Sequence, residues 1–145
     1  MEKDLEACIR LLGLDKKREY VNELSRGVVT YETFYHLYRK FGKSFLLAFK
    51  NIDKKNSSRI VIYDKEKGLR LSLSTYLGTH AEYIVIPDAP YCGCMSRYPT
   101  AIIRRKICPH IVGFCLDYIL KEITEIYFEE ESLEILTRIY KAMLK

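Results

Sequence analysis

The sequence predicts an α+β fold, and three patterns along its 145 residues indicate it. Apolar residues recur at helical spacing over roughly the first fifty positions, and they alternate with polar residues between positions 60 and 86. The helical spacing returns after position 108. A chain of this length buries a sizeable core as one domain. We therefore expect a single domain, with a helical subdomain at 1–53, a sheet-containing module at 58–121 and a helical extension at 122–145.

Four helices are expected in the helical subdomain. Gly13 follows the apolar repeat of the first helix as a C-terminal glycine does, and Asp15 is the candidate cap of the second. Thr30 precedes the third helix, which Gly42 ends, and Ser44 is the candidate cap of the fourth.

The third and fourth helices are rich in aromatic residues. Their helical spacing favours a role in the core, although exposed rings would instead form a surface that stacks on unpaired bases. His36 lies among them with no second metal-ligating residue at suitable spacing, so we expect it at the surface or at the edge of the core. The aromatic residues are Tyr31, Phe34, Tyr35, Tyr38, Phe41, Phe45 and Phe49.

An antiparallel sheet is expected next. Alternating apolar residues at 60–62 and 69–73 flank the turn sequence DKEKG, which Gly68 closes. Residues 81–86 form a third strand that ends at Pro87 and leads towards Tyr91. His80, at the start of this strand, is expected at the surface.

Helical spacing resumes after the sheet. The acidic residues at 129–131 indicate a break, and the segment 133–144 is amphipathic. We expect this last helix either to pack on the core or to dock on a partner.

Four side chains with the chemistry of a zinc site lie at the transition from sheet to helix. Cys92 and Cys94 are separated by one residue, and after a further thirteen residues Cys108 and His110 have the same spacing. Three cysteines and one histidine are the number and kind of ligands that hold one tetrahedral zinc. With four protein ligands the site is closed, and closed zinc sites are structural rather than catalytic.

The two pairs are expected to reach the ion in different ways. In an extended segment Cys92 and Cys94 lie on the same face, and Gly93 lets the backbone turn towards the metal. Residues two apart on a helix are rotated by about 200°, so Cys108 must precede the helix and His110 must lie in its first turn. The proline between them supports this placement, because proline is favoured at the first helical position.

The predicted zinc site lies in a basic stretch without acidic residues, from Ala89 to Leu116. Its basic side chains either offset the negative charge of three thiolates or bind the phosphates of single- or double-stranded DNA. In the second interpretation Tyr91 and Tyr98 are available to stack on bases. The basic residues are Arg97, Arg104, Arg105 and Lys106.

The order CxC, loop, then CxH at the start of a helix resembles the SWIM zinc finger, a strand–strand–helix module of DNA-associated proteins. The likeness in motifs covers about residues 70–120. A small chain with helices in front of this module is most similar to the SWIM subunit of the Shu complex and its archaeal relatives. The pattern of that subfamily adds an alanine three residues after the histidine, and this chain has Gly113 there.

The resemblance implies a fold and a function. It implies an N-terminal helical subdomain, a SWIM-type ββα zinc module with a three-stranded antiparallel sheet and a zinc-anchored helix, and a C-terminal helix. Proteins of this kind bind a RecA- or RadA-family recombinase paralogue, promote homologous recombination and DNA repair, and have no enzymatic activity. By position it implies one zinc and a small packing residue at Gly113. The implied ligands are Cys92, Cys94, Cys108 and His110.

Other features exclude several classes of protein. No apolar run is long enough to span a membrane and the first residues lack the features of a signal peptide, so we expect a cytoplasmic, nucleoid-associated protein, or a nuclear one in a eukaryote. The five cysteines favour metal over disulfides in a reducing compartment, with Cys8 and Cys115 in the core. A thiol oxidoreductase based on Cys92 and Cys94 is the competing enzymatic hypothesis, but zinc would occupy both sulfurs. The absence of Gln indicates a thermophilic source, and self-association stays open.

Overall fold

The computed structural model describes residues 2–64, 69–96, 107–129, 138, 141 and 142. Within these ranges five helices and five strands form the predicted α+β fold. The helices are α1 (Glu2–Leu11), α2 (Arg18–Ser25), α3 (Tyr31–Phe41), α4 (Lys43–Lys50) and α5 (Pro109–Ile119). The strands are β1 (Ser57–Asp64), β2 (Leu69–Leu77), β3 (Glu82–Ile86), β4 (Tyr91–Cys92) and β5 (Thr124–Glu129). Two short 3-10 turns, Ile52–Lys54 and Gly93–Ser96, precede β1 and follow β4.

Three of the predicted helix boundaries are confirmed. Gly13 ends α1 with a φ of 73°, a value that glycine adopts without strain, while the Leu14 N–H donates to the Ile9 carbonyl at 2.9 Å. The Thr30 hydroxyl caps α3 by accepting from the Thr33 N–H. Gly42 ends α3 with a φ of 57°.

Two predicted caps are wrong. α2 begins at Arg18 rather than after Asp15, and Lys17 occupies its N-cap position without a side-chain hydrogen bond. α4 begins at once after Gly42, so Ser44 lies inside its first turn, where its hydroxyl donates to the Ile107 carbonyl at 3.2 Å. Gly42 both ends one helix and precedes the next, and this leaves no position for a separate cap.

The sheet has the strand order β4-β3-β2-β1-β5. The predicted three-stranded antiparallel part, β1 to β3, is confirmed. The short strand β4 adds one more antiparallel neighbour, and Cys92 pairs with Val85. The predicted turn at 65–68 between β1 and β2 lies outside the described residues.

The helical extension predicted at 122–145 is wrong for its first part, where β5 runs parallel to β1. α5 ends at Ile119, and Lys121 adopts a φ of 62° that turns the chain out of the helix. The next residues, TEIYFE, are rich in the β-branched and aromatic types that favour strands, and Ile126 pairs with Ile60. Residues 138, 141 and 142 are helical, and the rest of the predicted last helix lies outside the described residues.

α5 is the central element of the core. Every residue from Ile111 to Asp117 is buried, and the helix contacts α1 and α4 as well as β1, β2 and β3. Cys8 of α1 and Cys115 of α5 are both fully buried and carry free thiols, as predicted. One core therefore joins the helical subdomain to the sheet.

The aromatic residues of α3 and α4 divide between core and surface. The Phe34 ring packs edge-on against the rings of Phe45 and Phe49, with centroids 5.0 and 5.2 Å apart, and this confirms the predicted core role of the phenylalanines. Tyr31, Tyr35 and Tyr38 are exposed, and the predicted core role is therefore wrong for these tyrosines. At about 100° per residue the tyrosines form a second stripe about a quarter turn from the buried one.

Two charged side chains are buried where α1 and α5 meet β1. Arg59 lies 3.3 Å from the Asp4 carboxylate and donates to the Tyr118 hydroxyl at 3.1 Å. Asp117 accepts a hydrogen bond from the Ser57 hydroxyl at 2.6 Å. Burial nevertheless raises the pKa of Asp117 to about 7, because the charged carboxylate loses its hydration.

Candidate metal centre

The structure brings the four predicted ligands together. The thiol sulfurs of Cys92, Cys94 and Cys108 and a ring nitrogen of His110 all lie within 4.8 Å of one another. The first two cysteines are buried, and the other two residues are partly buried. These side chains therefore lie close enough to bind one metal ion, and their number and type are compatible with a single zinc.

One distance tests whether the cluster has the dimensions of a tetrahedral site. The Cys92 sulfur lies 3.7 Å from Nδ1 of His110. Zinc–sulfur bonds of about 2.3 Å and zinc–nitrogen bonds of about 2.0 Å at a tetrahedral angle place sulfur and nitrogen about 3.5 Å apart. The residues therefore fit the ion, and Nδ1 is the nitrogen of His110 that faces the sulfurs.

Cys92 and Cys94 come together by a turn rather than along a strand. Cys92 ends β4, and the 3-10 turn Gly93–Ser96 begins at the next residue and contains Cys94. The expectation that both cysteines share the face of an extended segment is therefore wrong. The pairing of β4 with β3 ends at Cys92, so the chain is free to turn at Gly93, as predicted for that residue.

Cys108 and His110 have the predicted placement. Cys108 occupies the N-cap position of α5 with an extended backbone, at a φ of −79° and a ψ of 161°. Pro109 is the first residue of the helix and His110 follows it in the first turn. The backbone N–H groups at the N-terminus of α5 favour a thiolate on Cys108.

The His110 ring is held between two tyrosines of the sheet. The Tyr83 ring stacks on it with centroids 4.6 Å apart and 27° between the planes, and the Tyr76 ring lies 5.9 Å away at 42°. Tyr76 of β2 and Tyr83 of β3 are direct neighbours across the two strands. A β-carbon on Gly78 would lie 2.8 Å from Nε2 of His110 and 2.9 Å from a ring carbon of Tyr83, so the close approach of both rings needs glycine at that position.

The thiols interact strongly with one another. Hydrogen bonds from Cys92 and from Cys94 lower the pKa of Cys108 far below its ordinary value. The hydrogen bond to Cys108 in turn raises the pKa of Cys94 to about 12, and it raises the pKa of Cys92 as well. Without a metal ion, these opposite shifts favour a thiolate on Cys108 over a thiolate on Cys92 or Cys94. A divalent cation among them would stabilise the other two thiolates.

The other predicted site residues lie apart from this cluster or outside the described residues. Arg97, Arg104, Arg105 and Lys106, together with Tyr98, belong to the stretch 97–106, which the structure does not describe. His80 is exposed, as predicted. His36 lies at the edge of the core, where Nε2 is 3.2 Å from the Gly13 carbonyl oxygen.

Three supporting residues were missed from the sequence. Tyr76 lies on β2, Tyr83 lies on β3 and Gly78 lies between the two strands, and together they determine the position of the His110 ring. The strand register was the signal that could have identified the two tyrosines. Tyr76 and Tyr83 occupy directly paired positions, so their side chains point to the same face of the sheet. That face is the one that α5 covers.

Comparisons with protein-family models, with curated proteins and with solved structures gave no match for this chain. Among the described residues, no helix is both long enough and apolar enough to cross a bilayer.

Proposed function

We propose that this protein is a zinc-binding adaptor without catalysis of its own, which binds a RecA- or RadA-family recombinase paralogue and acts in homologous recombination and DNA repair. The observation that carries the proposal is the convergence of Cys92, Cys94, Cys108 and His110 where a sheet meets a helix. The order of these ligands resembles the SWIM zinc finger of the small Shu-complex subunit, and the partner and the pathway come from that resemblance.

The proposed zinc has a structural role. Its ligands come from the end of β4, from the turn after it and from the start of α5, so one ion would join the sheet to the central helix of the core. Four protein ligands leave no coordination position for water or substrate. The ion supplies binding energy to the fold, since a preformed site rarely exists in the unfolded chain.

In the part of the chain that the structure describes, an open edge of the sheet offers a surface for the partner. β5 is the outermost strand in the described residues, and Thr124, Glu125 and Ile126 are all exposed. An exposed strand edge presents backbone N–H and C=O groups, and a partner can pair with them by adding a strand. The adaptor therefore has a backbone-mediated route to a stable complex.

The experiment is affinity purification of the tagged protein from its native host, with metal analysis of the same sample. We expect about one zinc per chain and a recombinase paralogue among the retained proteins. Cys108→Ser should lose both zinc and partner, whereas Cys115→Ala, which changes a buried cysteine outside the cluster, should retain both. A zinc-loaded chain that retains no recombinase paralogue would refute the adaptor function and leave the zinc site intact.

A second candidate function is direct binding of single- or double-stranded DNA by the basic residues between the two ligand pairs. The observation that favours it is the absence of acidic residues from Ala89 to Leu116, a stretch in which four basic residues lie between the two ligand pairs in the sequence. Phosphates are bound by such groups in a salt-dependent way.

A further inference from the structure

The outer face of α3 carries a row of aromatic side chains that the core does not use. Tyr31 is 76% exposed and Tyr35 is 49% exposed, and they lie four residues apart on one face of the helix. The inner face of the same helix already supplies Phe34 and Leu37 to the core. Burial in the monomer therefore does not account for the tyrosines.

The exposed rings are already aligned with each other. The planes of Tyr31 and Tyr35 differ by only 7°, with centroids 6.2 Å apart. One helical turn further on, the Arg39 guanidinium lies over the Tyr35 ring at 5.8 Å from its centroid. Tyr31, Tyr35 and Arg39 thus form a row of three planar groups along the helix, which we call the α3 row.

The α3 row borders an open cleft of about 610 Å³ between α3 and the start of α2. Tyr20 forms part of the opposite wall, and the Lys17 ammonium lies 5.8 Å from the centroid of its ring. The cleft lining comprises Tyr20, Tyr31, Glu32, Tyr35, His36, Arg39 and Lys40.

The turn after α1 holds one side of this cleft in place. His36 Nε2 is within hydrogen-bond distance of the Gly13 carbonyl. The Lys40 side chain lies so close that a β-carbon on Gly13 would come within 2.5 Å of its ammonium nitrogen. The cleft is therefore a defined surface of the folded protein.

The charges in and beside the cleft favour a polyanion. Lys17, Arg39 and Lys40 supply three positive charges, and Glu32 supplies one negative charge. Exposed aromatic rings combined with cations are the means by which proteins bind single strands, since every base offers a flat face and every linkage a phosphate. In a duplex those faces are already covered by neighbouring base pairs.

We propose that the α3 row and its cleft bind single-stranded nucleic acid, with bases stacking on Tyr31 and Tyr35 and with Arg39 and Lys40 contacting the backbone. This site contains none of the zinc ligands and none of the residues 97–106, and it does not depend on the adaptor function proposed above. A proline-rich peptide is the other occupant of tyrosine-lined grooves, and the cations make the nucleic acid the better fit.

The test is fluorescence anisotropy with a labelled 20-mer of thymidylate, a 20-mer of uridylate and a 20-base-pair duplex, using zinc-loaded protein. We expect both single strands to bind more tightly than the duplex. Tyr31→Ala combined with Tyr35→Ala should weaken single-strand binding by about tenfold or more, because each stacked base contributes substantially. Tyr31→Phe combined with Tyr35→Phe keeps both rings and should bind within about twofold of the wild type.

Tyr38→Ala is the matched control, because Tyr38 is exposed on the same helix but does not line the cleft. It should leave the affinity unchanged. Wild-type protein that binds no single strand would overturn the proposal, and so would equal affinity of the double alanine variant and the wild type. Preferential binding of a proline-rich peptide at the same tyrosines would also overturn it. Unchanged zinc content and circular dichroism of the variants confirm that each has folded.

Discussion

The Tyr76 ring occupies the space in which a side chain at Gly113 would lie. A β-carbon on Gly113 would come within 2.6 Å of the Tyr76 hydroxyl oxygen and 2.8 Å of two ring atoms. Glycine at this position therefore has a physical reason in this chain. Because Tyr76 of β2 also tilts against His110, the glycine lets the sheet approach the metal-binding end of α5.

Gly113→Ala should therefore destabilise the protein. Overpacking of this kind costs about 1–3 kcal/mol, although alanine in a helix interior gains about 1 kcal/mol over glycine. We expect a net loss in the free energy of unfolding, measured by denaturant titration. In a Tyr76→Val background the close atoms are gone, so the same substitution should stabilise. An equal effect in both backgrounds would show that the two residues are not coupled.

Gly78→Ala should weaken metal binding more than it weakens the fold. The added β-carbon would lie 2.8 Å from Nε2 of His110 and 2.9 Å from a ring carbon of Tyr83. Changes that misplace a ligand in this way typically cost about 10- to 100-fold in affinity, which competition with a chromophoric chelator measures. Gly27→Ala is the control, because Gly27, in the turn after α2, has a positive φ that strains alanine but has no atom within 4 Å of the new carbon. It should lower stability and leave zinc affinity unchanged.

Asp117 should make the stability of the protein depend on pH in a defined window. Its folded pKa of about 7 lies above the ordinary value of 3.8. Between these two values the folded protein keeps the proton that the unfolded chain loses. The free energy of unfolding therefore falls as pH rises, by at most about 1.4 kcal/mol per unit. Below pH 3.8 Asp117 is protonated in both the folded and the unfolded chain, so it does not change the free energy of unfolding. Above about pH 7 it is charged in both states, and its destabilising contribution no longer changes with pH.

Asp117→Asn removes this titration and keeps an oxygen that accepts from Ser57. The stability of the variant relative to the wild type should therefore rise from pH 5 to pH 7, by an amount on the order of a few kcal/mol, and then level off. Taking the difference between two zinc-loaded proteins at each pH cancels the pH dependence of metal binding. Glu32→Gln, which changes an exposed carboxylate of α3, should show no comparable rise. A difference that stays flat across the window would contradict the raised pKa.

Arg104→Ala combined with Arg105→Ala tests the second candidate function. If four basic residues bind phosphates, the affinity for duplex DNA falls with salt at a log–log slope of about −3 to −4. Removing two of them should flatten that slope by about 2 without releasing zinc. Lys43→Ala combined with Lys50→Ala removes two exposed charges from α4 and should leave the slope unchanged. An unaltered slope in the arginine variant would show that these residues do not contact DNA.

Local signals predicted much of this fold and of the site. Thr30, Gly13 and Pro109 each act within their own turn of backbone, so a sequence pattern is enough to place them. The four ligands were predicted because their identity and spacing define the coordination chemistry.

Features that depend on distant pairing could not be predicted in the same way. β5 forms because the segment TEIYFE pairs with β1, which is distant in the sequence. Parallel pairing of distant segments needs no tight turn, so no turn residues in the sequence indicate it. Tyr76 and Tyr83 support His110 only because the strand register places them opposite each other. Cys94 approaches Cys92 by a 3-10 turn, which begins where pairing with β3 ends.

Because β5 pairs with β1, the sheet is completed only late in the synthesis of the chain. Thr124 pairs with Ser58, so β1 is synthesised long before the strand that covers its second edge. During that interval the chain makes the remaining strands, the four candidate ligands and α5, and the uncovered edge is open to pairing with other chains. Metal capture during synthesis would place α5 over the sheet before β5 emerges.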